Sequence, residues 1–227
     1  MPTTYFVEQK LAPLANKYYV YEADASGAKA GIIAFAQQKR FALKEQIDFY
    51  SDDTKSRVIF SVKAEKMMDI HGAFVVTDET GRSLGSIRKS FKSSLLRSTF
   101  EVMQGGQPYM IVQERSVPIA ITRRLWGFVP FLGEIPFFLK FHFDFLEARA
   151  GSNNAVLTDS PVTPPTPAGS SPADQPGKTP KIVASYDKLT LLRDNYKLEI
   201  FDSTALETVG WQTFVAQAVM LDALQGR

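Results

Sequence analysis

The C-terminal segment STALETVGWQTFVAQAVMLDALQGR constrains the fold more than any other part of this chain. Thr204 and Glu207 form the T-x-x-E pattern of a capping box, which predicts a helix over 204–224. No charge occurs between Glu207 and Asp222, and the apolar side chains of this stretch project in nearly every direction. Because a helix that is apolar all round is surrounded by protein or lipid, the sequence predicts a sheet wrapped around this helix.

This helix should contribute the centre of a hydrophobic core. Trp211, Phe214 and Met220 point in different directions, and we expect all three to be largely buried. Its uncharged stretch, Thr208 to Leu221, is shorter than the about 20 apolar residues that a membrane-spanning helix needs. Gly226 lies where the helix is expected to end.

Most of the remaining sequence alternates between apolar and polar residues, which is the pattern of β-strands. The hairpin prediction is centred on Asp78-Glu79-Thr80-Gly81, a type I turn closed by a glycine between strands 73–78 and 84–91. Ala28–Gln37 fits either a strand or a short helix, and Ser116–Gly127 fits a short helix or an irregular loop. Further strands are predicted near 4–10, 17–23, 44–50, 58–62, 97–103, 108–115, 137–146, 181–188 and 196–200.

Composition limits the class of protein. The 227 residues suit one barrel-sized domain over 1–227, and a net charge of +2 gives no bulk electrostatic reason to expect a nucleic acid partner. The absence of cysteine excludes disulfides and thiolate metal sites. The N-terminus lacks the pattern of a signal peptide. We therefore expect a cytoplasmic protein, either free or peripheral at a membrane.

One segment differs in composition from the rest. Seven of the 13 prolines fall between residues 161 and 180, and large apolar residues are few there. Such a segment cannot bury enough surface to offset its ordering entropy. We therefore predict a disordered, proline-rich insert over Gly151 to Thr179, within a single domain and between two strands.

Three motifs and their order resemble the tubby C-terminal-like superfamily, with its LURP-one-related and phospholipid scramblase members. They are IHGAFVVTDETGRSLGSIRKSF, then SSLLRSTFEV, and then PFFLKFHFDF ahead of the terminal helix. The resemblance implies a closed antiparallel barrel of about twelve strands that encloses the C-terminal helix. The phosphoinositide site of tubby proteins and the calcium-associated segment of scramblases have no matching residues here.

No constellation of catalytic residues stands out. His142 and Asp144 lie two apart on the polar face of a strand, but no serine is placed to complete a triad with them. An ordinary surface pair is the favoured interpretation. The prediction is a non-enzymatic protein without cofactor or metal site.

A basic run beside aromatic residues is the one local charge asymmetry. From Thr80 to Phe100 there are five basic residues and no acidic one, and two further arginines precede an aromatic stretch. Such a cluster suits an anionic membrane surface. The residues predicted to bind headgroups are Arg88, Lys89, Lys92, Arg97, Arg123 and Arg124, with Trp126 and Phe128 at the membrane interface. The alternative is a solvated face beside core aromatics.

Three classes of function remain open from the sequence. The leading one is a binding module for anionic membrane lipid or for a protein partner. The second is scramblase-like lipid transport, which the resemblance implies and which requires membrane insertion. The third is an enzyme of unrecognised type.

Overall fold

Twelve β-strands and one α-helix lie within the residues that the computed structural model describes. Those residues are 2–11, 15–39, 46–65, 73–90, 98–116, 142–148, 180–190 and 194–224. The strands are β1 (Thr3–Leu11), β2 (Ala15–Ala23), β3 (Lys29–Lys39), β4 (Gln46–Tyr50), β5 (Val58–Ala64), β6 (Ala73–Asp78), β7 (Ser83–Lys89), β8 (Thr99–Gln104), β9 (Gln107–Glu114), β10 (His142–Glu147), β11 (Ile182–Lys188) and β12 (Asp194–Ile200). The helix is α1 (Ser203–Leu224).

The strands form one closed antiparallel barrel in which each strand pairs with its neighbours in sequence. Seven consecutive pairs between β1 and β12, from Thr3↔Ile200 to Gln9↔Asp194, close the ring. Successive side chains in a strand face opposite sides of a sheet, so every second residue enters the barrel interior. The predicted barrel of twelve strands around a C-terminal helix is confirmed.

The second half of α1 fills the barrel. The ten residues from Thr213 to Asp222 are all buried, including Phe214 at 0 % and Met220 at 1 % exposure. Trp211 is only half-buried; its ring stacks on Tyr5 at 6.2 Å and meets Phe60 edge-on at 5.6 Å. Burial on all sides is therefore confirmed for the second half of α1, while its first turns bury Ala205 and Val209 and expose the opposite side.

The start of α1 corrects the predicted capping box. The carboxylate Oδ1 of Asp202 accepts hydrogen bonds from the backbone N–H groups of Thr204, at 2.9 Å, and Ala205, at 3.4 Å. Asp202 is therefore the N-cap, and Thr204 lies inside the first turn. Asp202 also forms an ion pair with Lys181 at 2.6 Å, which anchors the cap to the residue before β11.

The helix is also interrupted, which the sequence pattern does not predict. Gly210 has φ 74° and ψ 150°, outside helical geometry, so two helical segments meet there at a kink. Glycine adopts positive φ without the steric cost that other residues have. The kink separates the first turns, which are exposed on one side, from the fully buried segment inside the barrel.

Most strand predictions agree with the structure. The ambiguous segment 28–37 is part of the strand β3, and the hairpin around Asp78–Gly81 joins β6 and β7. Of the strand predicted over 137–146, the described part begins at His142. Residues 117–127, the proline-rich insert and Gly226 lie outside the described residues. Within the parts of the chain that the structure describes, no helix combines the length and hydropathy of a membrane span.

Three hairpin turns at one end of the barrel share one design. Each begins with an aspartate whose Oδ1 accepts the backbone N–H two residues later and ends with a residue at positive φ. The aspartates are Asp24, Asp52 and Asp78, and the positive-φ residues are Gly27, Lys55 and Gly81. We call this end of the barrel the hairpin end.

Candidate anion-binding surface

The barrel interior is occupied by the chain itself. Phe214, Val215, Val219 and Leu221 of α1 are fully buried, and they belong to one hydrophobic cluster with the inward-facing residues of the strands. Because these side chains pack closely, they fill the described part of the barrel interior. A ligand surface is therefore to be sought on the outside or at the ends of the barrel.

A buried polar cluster surrounds the C-terminal part of α1. The carboxylate of Asp222 accepts hydrogen bonds from the hydroxyls of Tyr18, at 2.9 Å, and Tyr196, at 3.1 Å. Gln9 donates to the Tyr18 hydroxyl at 3.2 Å. The buried Lys188 donates to Asp194 at 2.7 Å in the same interior. These bonds satisfy polar groups that would otherwise be costly to bury.

Burial keeps the tyrosines of this interior protonated. Desolvation, followed by the negative charge of Asp222, raises the pKa of Tyr18 well above its usual value. The same two causes raise the pKa of Tyr186. At the other end of β1, burial and then Glu22 raise the pKa of Tyr5 to about 12. Protonated hydroxyls are what the Asp222 carboxylate requires as hydrogen-bond donors.

His142 and Asp144 do not pair with each other. His142 Nδ1 lies 2.7 Å from Asp187 Oδ1, and Asp144 accepts hydrogen bonds from Nε of Arg115 at 2.9 and 3.0 Å. The hydroxyl of Ser185 donates to the other Asp187 oxygen at 3.1 Å. In a catalytic triad the serine would meet the second histidine nitrogen rather than the carboxylate. The cluster is an ion-pair network on the outer face of β9 to β11.

Two of the predicted headgroup-binding residues lie within the described chain. Arg88 of β7 pairs directly with Glu101 of β8, and its guanidinium lies 2.7 Å from the Glu101 carboxylate. The stretch without acidic residues, Thr80 to Phe100, therefore ends one residue before Glu101. Lys89, the last residue of β7, is half-buried opposite the core residue Phe100. Lys92, Arg97, Arg123, Arg124, Trp126 and Phe128 lie outside the described residues.

The structure adds a basic surface that the sequence did not indicate. Lys10 of β1 lies directly opposite Lys17 of β2, and both share the outer face because their neighbours Gln9 and Tyr18 face inward. Among the described residues neither lysine has an acidic partner, although Lys10 Nζ lies 4.4 Å from the centre of the Tyr19 ring. Like charges directly opposite each other destabilise a sheet, so this pair has a structural cost.

The position of Lys63 extends this surface around the barrel. Because neighbouring strands are antiparallel, the ends of β1 and β5 and the start of β2 lie at the same end of the barrel as Asp222. We call Lys10, Lys17 and Lys63 the basic rim. In the sequence, the segments 40–45, 66–72, 91–97 and 117–141, which lie outside the described residues, hold eight Lys or Arg against three Asp or Glu.

An open groove lies beside Lys63 on the outer face of β4 to β6. Its volume is about 480 Å³, within the range of small-ligand sites. Ser61, Thr77 and Gln46 contribute polar side chains, Val58 and Val75 contribute apolar surface, and Glu65 and Glu79 also line it. Lys63 is the only cation among the lining residues and faces three carboxylates, those of Glu65, Asp78 and Glu79, so the groove itself does not favour an anion.

Both ends of the barrel carry charges of both signs. The hairpin end has Lys55, Arg57 and Arg82 among the aspartates of its three turns, and the opposite end has Asp48 and Glu65 beside the basic rim. The candidate anion-binding surface is therefore the Lys10–Lys17 pair rather than a whole end of the barrel.

Comparison with known proteins supports the family resemblance. Residues 32–129 match the family model described as LURP-one-related, a family related to the tubby proteins. The match runs from β3 past the end of β9 and covers less than half of the chain. It supports a tubby-like binding module. No curated protein and no solved structure matches the chain.

Proposed function

We propose that this protein is a non-enzymatic binding module whose basic rim engages the anionic headgroups of a membrane surface. The observation that carries the proposal is the outward pair Lys10–Lys17, two like charges held opposite each other. A sheet gains nothing from such a pair in isolation, whereas an anion placed between the two ammonium groups removes the repulsion. Each basic residue near an anionic membrane contributes about 1 kcal/mol of attraction.

The filled interior supports binding from outside the barrel. With Phe214 and its neighbours buried at the barrel centre, headgroups would contact the rim while the core stays packed. Lys92, Arg97, Arg123 and Arg124 remain predicted contributors, with Trp126 and Phe128 at the interface.

The test is co-sedimentation of the whole chain with vesicles. We expect the protein to pellet with phosphatidylserine or phosphoinositide vesicles at low salt and to stay in solution with phosphatidylcholine vesicles. Binding should weaken as salt is raised, because the screening length falls to about 8 Å at physiological ionic strength. Protein that stays in the supernatant with anionic vesicles at low salt would overturn the proposal.

Charge reversal locates the surface. The double variant Lys10→Glu/Lys17→Glu should lose most vesicle binding, while its melting temperature stays close to that of the wild type. The matched control, Arg57→Glu/Arg82→Glu, makes the same charge change at the hairpin end and should keep binding. Equal loss in both variants would indicate a response to net charge and would remove the role of the rim.

A second set of variants separates the rim from the residues predicted by sequence. Lys92→Glu/Arg97→Glu and Arg123→Glu/Arg124→Glu each reverse two of the predicted charges. If both reduce binding along with the rim variant, the surface extends over the connecting segments. If only these variants reduce binding, the headgroups bind there and the Lys10–Lys17 pair is not the site.

A further inference from the structure

A third polar side chain stands in line with Lys10 and Lys17 on the outer face of the barrel. Lys17 of β2 is the register partner of Lys10 of β1 on one side and of Gln37 of β3 on the other. Gln37 lies between the buried residues Ala36 and Gln38. Because successive residues of a strand face opposite sides of the sheet, the Gln37 side chain faces outward. We call Lys10, Lys17 and Gln37 the polar row.

The side chain of Lys10 leans toward the strand of Lys17. Lys10 Nζ lies 4.4 Å from the centre of the Tyr19 ring, and Tyr19 follows Lys17 on the outer face of β2. Neighbouring strands of a sheet lie about 4.8 Å apart. The two ammonium groups are therefore close enough to contact different oxygens of one phosphate group, each at about 2.8 Å.

The donors of the polar row are not used within the protein. In the part of the chain that the structure describes, no ion pair and no side-chain hydrogen bond involves a member of the row. The carboxylates beside the row are already engaged: Glu8 of β1 pairs with Lys29, and Asp48 of β4 accepts hydrogen bonds from Gln46 and Ser61. The row therefore presents two cations and one neutral amide donor to solvent.

We propose that the polar row binds a phosphomonoester and discriminates against a phosphodiester. A phosphomonoester carries a charge of about −1.5 to −2 at pH 7 and has three terminal oxygens. Its charge matches the two ammonium groups, and its third oxygen accepts an N–H of the Gln37 carboxamide. A phosphodiester has one charge and two terminal oxygens, so it neutralises one lysine and leaves one of the three donors without an oxygen.

Two lipids that differ in the phosphate ester test the discrimination, which rests on the membrane-binding function proposed above. Phosphatidic acid carries a phosphomonoester and phosphatidylglycerol a phosphodiester, and vesicles of the two are prepared with equal total anionic charge. The wild-type protein should bind the phosphatidic acid vesicles about fivefold more tightly. If neither kind of vesicle binds, the membrane-binding proposal fails as well. Equal binding to both overturns the phosphomonoester selectivity alone.

Single substitutions locate the selectivity in the polar row. Lys17→Gln removes one of the two charges and Gln37→Leu removes the amide donor, so each should lower binding to phosphatidic acid vesicles toward the phosphatidylglycerol level. The matched controls, Arg57→Gln and Gln107→Leu, make the same changes at exposed positions of the hairpin end and should keep the preference. All four variants should melt close to the wild-type temperature. A preference that persists in both row variants would overturn the assignment.

The charge of the ligand gives a second, independent measurement. The second ionisation of a phosphomonoester has a pKa of about 6, whereas a phosphodiester keeps one charge over the same range. Binding to phosphatidic acid vesicles should therefore strengthen from about pH 5 to about pH 7.5. The titratable side chains beside the row are Glu8, Tyr19, Lys29 and Asp48, and phosphatidylglycerol vesicles report any effect of their titration. Parallel pH profiles for the two lipids would contradict the proposal.

Soluble phosphate esters separate a lipid headgroup from a free phosphomonoester as the source of the ligand. Glycerol 3-phosphate is titrated against the whole chain, with glycerophosphocholine as the diester control, and the amide resonances of residues 10, 17 and 37 are followed by NMR. A response to glycerol 3-phosphate that also displaces the protein from phosphatidic acid vesicles supports the phosphomonoester site with a free ligand. Preference for phosphatidic acid vesicles without this response supports the site with a lipid ligand. Equal responses to the two soluble esters would overturn the selectivity.

Discussion

Tyr18 of β2 donates a hydrogen bond of 2.9 Å to the carboxylate of Asp222, which lies 204 residues later in the chain near the end of α1. Tyr196 of β12 donates to the same carboxylate at 3.1 Å. The two tyrosines stand on strands that flank β1, so Asp222 ties α1 to the part of the barrel where the ring closes. A polar group thus sets the position of a helix that is otherwise held by apolar contacts.

Replacing this carboxylate should destabilise the fold. In Asp222→Asn the two tyrosine hydroxyls lose a charged acceptor, and we expect a loss of about 2 kcal/mol in the free energy of unfolding. Glu207→Gln is the matched control, because Glu207 is an exposed acid on the same helix. It should change stability by less than about 0.5 kcal/mol. Urea denaturation followed by circular dichroism measures both, and equal effects would contradict the role of Asp222.

The buried tyrosines predict alkaline unfolding. Burial raises the pKa of Tyr18 and Tyr186 in the folded state above the unfolded value of about 10. A raised folded pKa gives stability that is complete below pH 10 and is lost as the pH rises further. Phenolate absorbance should therefore rise in two steps, with the second coinciding with loss of the circular dichroism signal. Ionisation of all eight tyrosines in a folded protein would contradict this.

Local sequence patterns predicted the strands and α1, because alternation and an uncharged helix are features of neighbouring residues. The contacts of Asp222 could not be read in the same way, since they join positions far apart in the chain. The N-cap at Asp202 also forms an ion pair with Lys181, the residue before β11, which lies 21 positions earlier in the chain. The basic run from Thr80 to Phe100 is less positive in the fold than in the sequence. Glu101 follows it directly and pairs with Arg88 on the neighbouring strand. The basic rim was missed because Lys10 and Lys17 become neighbours only through the β1–β2 register.

The kink in α1 should depend on glycine at position 210. Its φ of 74° is unfavourable for residues with a Cβ atom, and a Cβ there would also lie 2.9 Å from the Gln212 side chain. Gly210→Ala should lower the free energy of unfolding by about 1–2 kcal/mol. Gly31→Ala is the control, since its φ is not in the positive region and open space surrounds it. It should be neutral or slightly stabilising, and thermal unfolding compares the two.

Because the hairpin turns share one design, substitutions at the positive-φ position should change stability in opposite directions when they remove a glycine and when they introduce one. Lys55, at φ 62°, occupies the place that Gly81 occupies at φ 84° in the next hairpin. Gly81→Ala should cost about 1 kcal/mol, whereas Lys55→Gly should leave stability unchanged or raise it slightly. The gain is limited because Lys55 also lies 5.8 Å from the Tyr50 ring. A marked loss of stability in Lys55→Gly, measured by denaturant titration, would show that the two turns are not equivalent.

The most direct test of binding from outside the barrel is the reactivity of a thiol placed inside it. Ala218 of α1 is fully buried, and Ala218→Cys introduces the only thiol of the chain at nearly the same size. With anionic vesicles added to saturation, this thiol should remain as unreactive to Ellman's reagent as in their absence, while the exposed control Ser203→Cys reacts rapidly. A thiol at position 218 that reacts as fast as the control once vesicles are bound would show that α1 leaves the barrel, and would contradict the account.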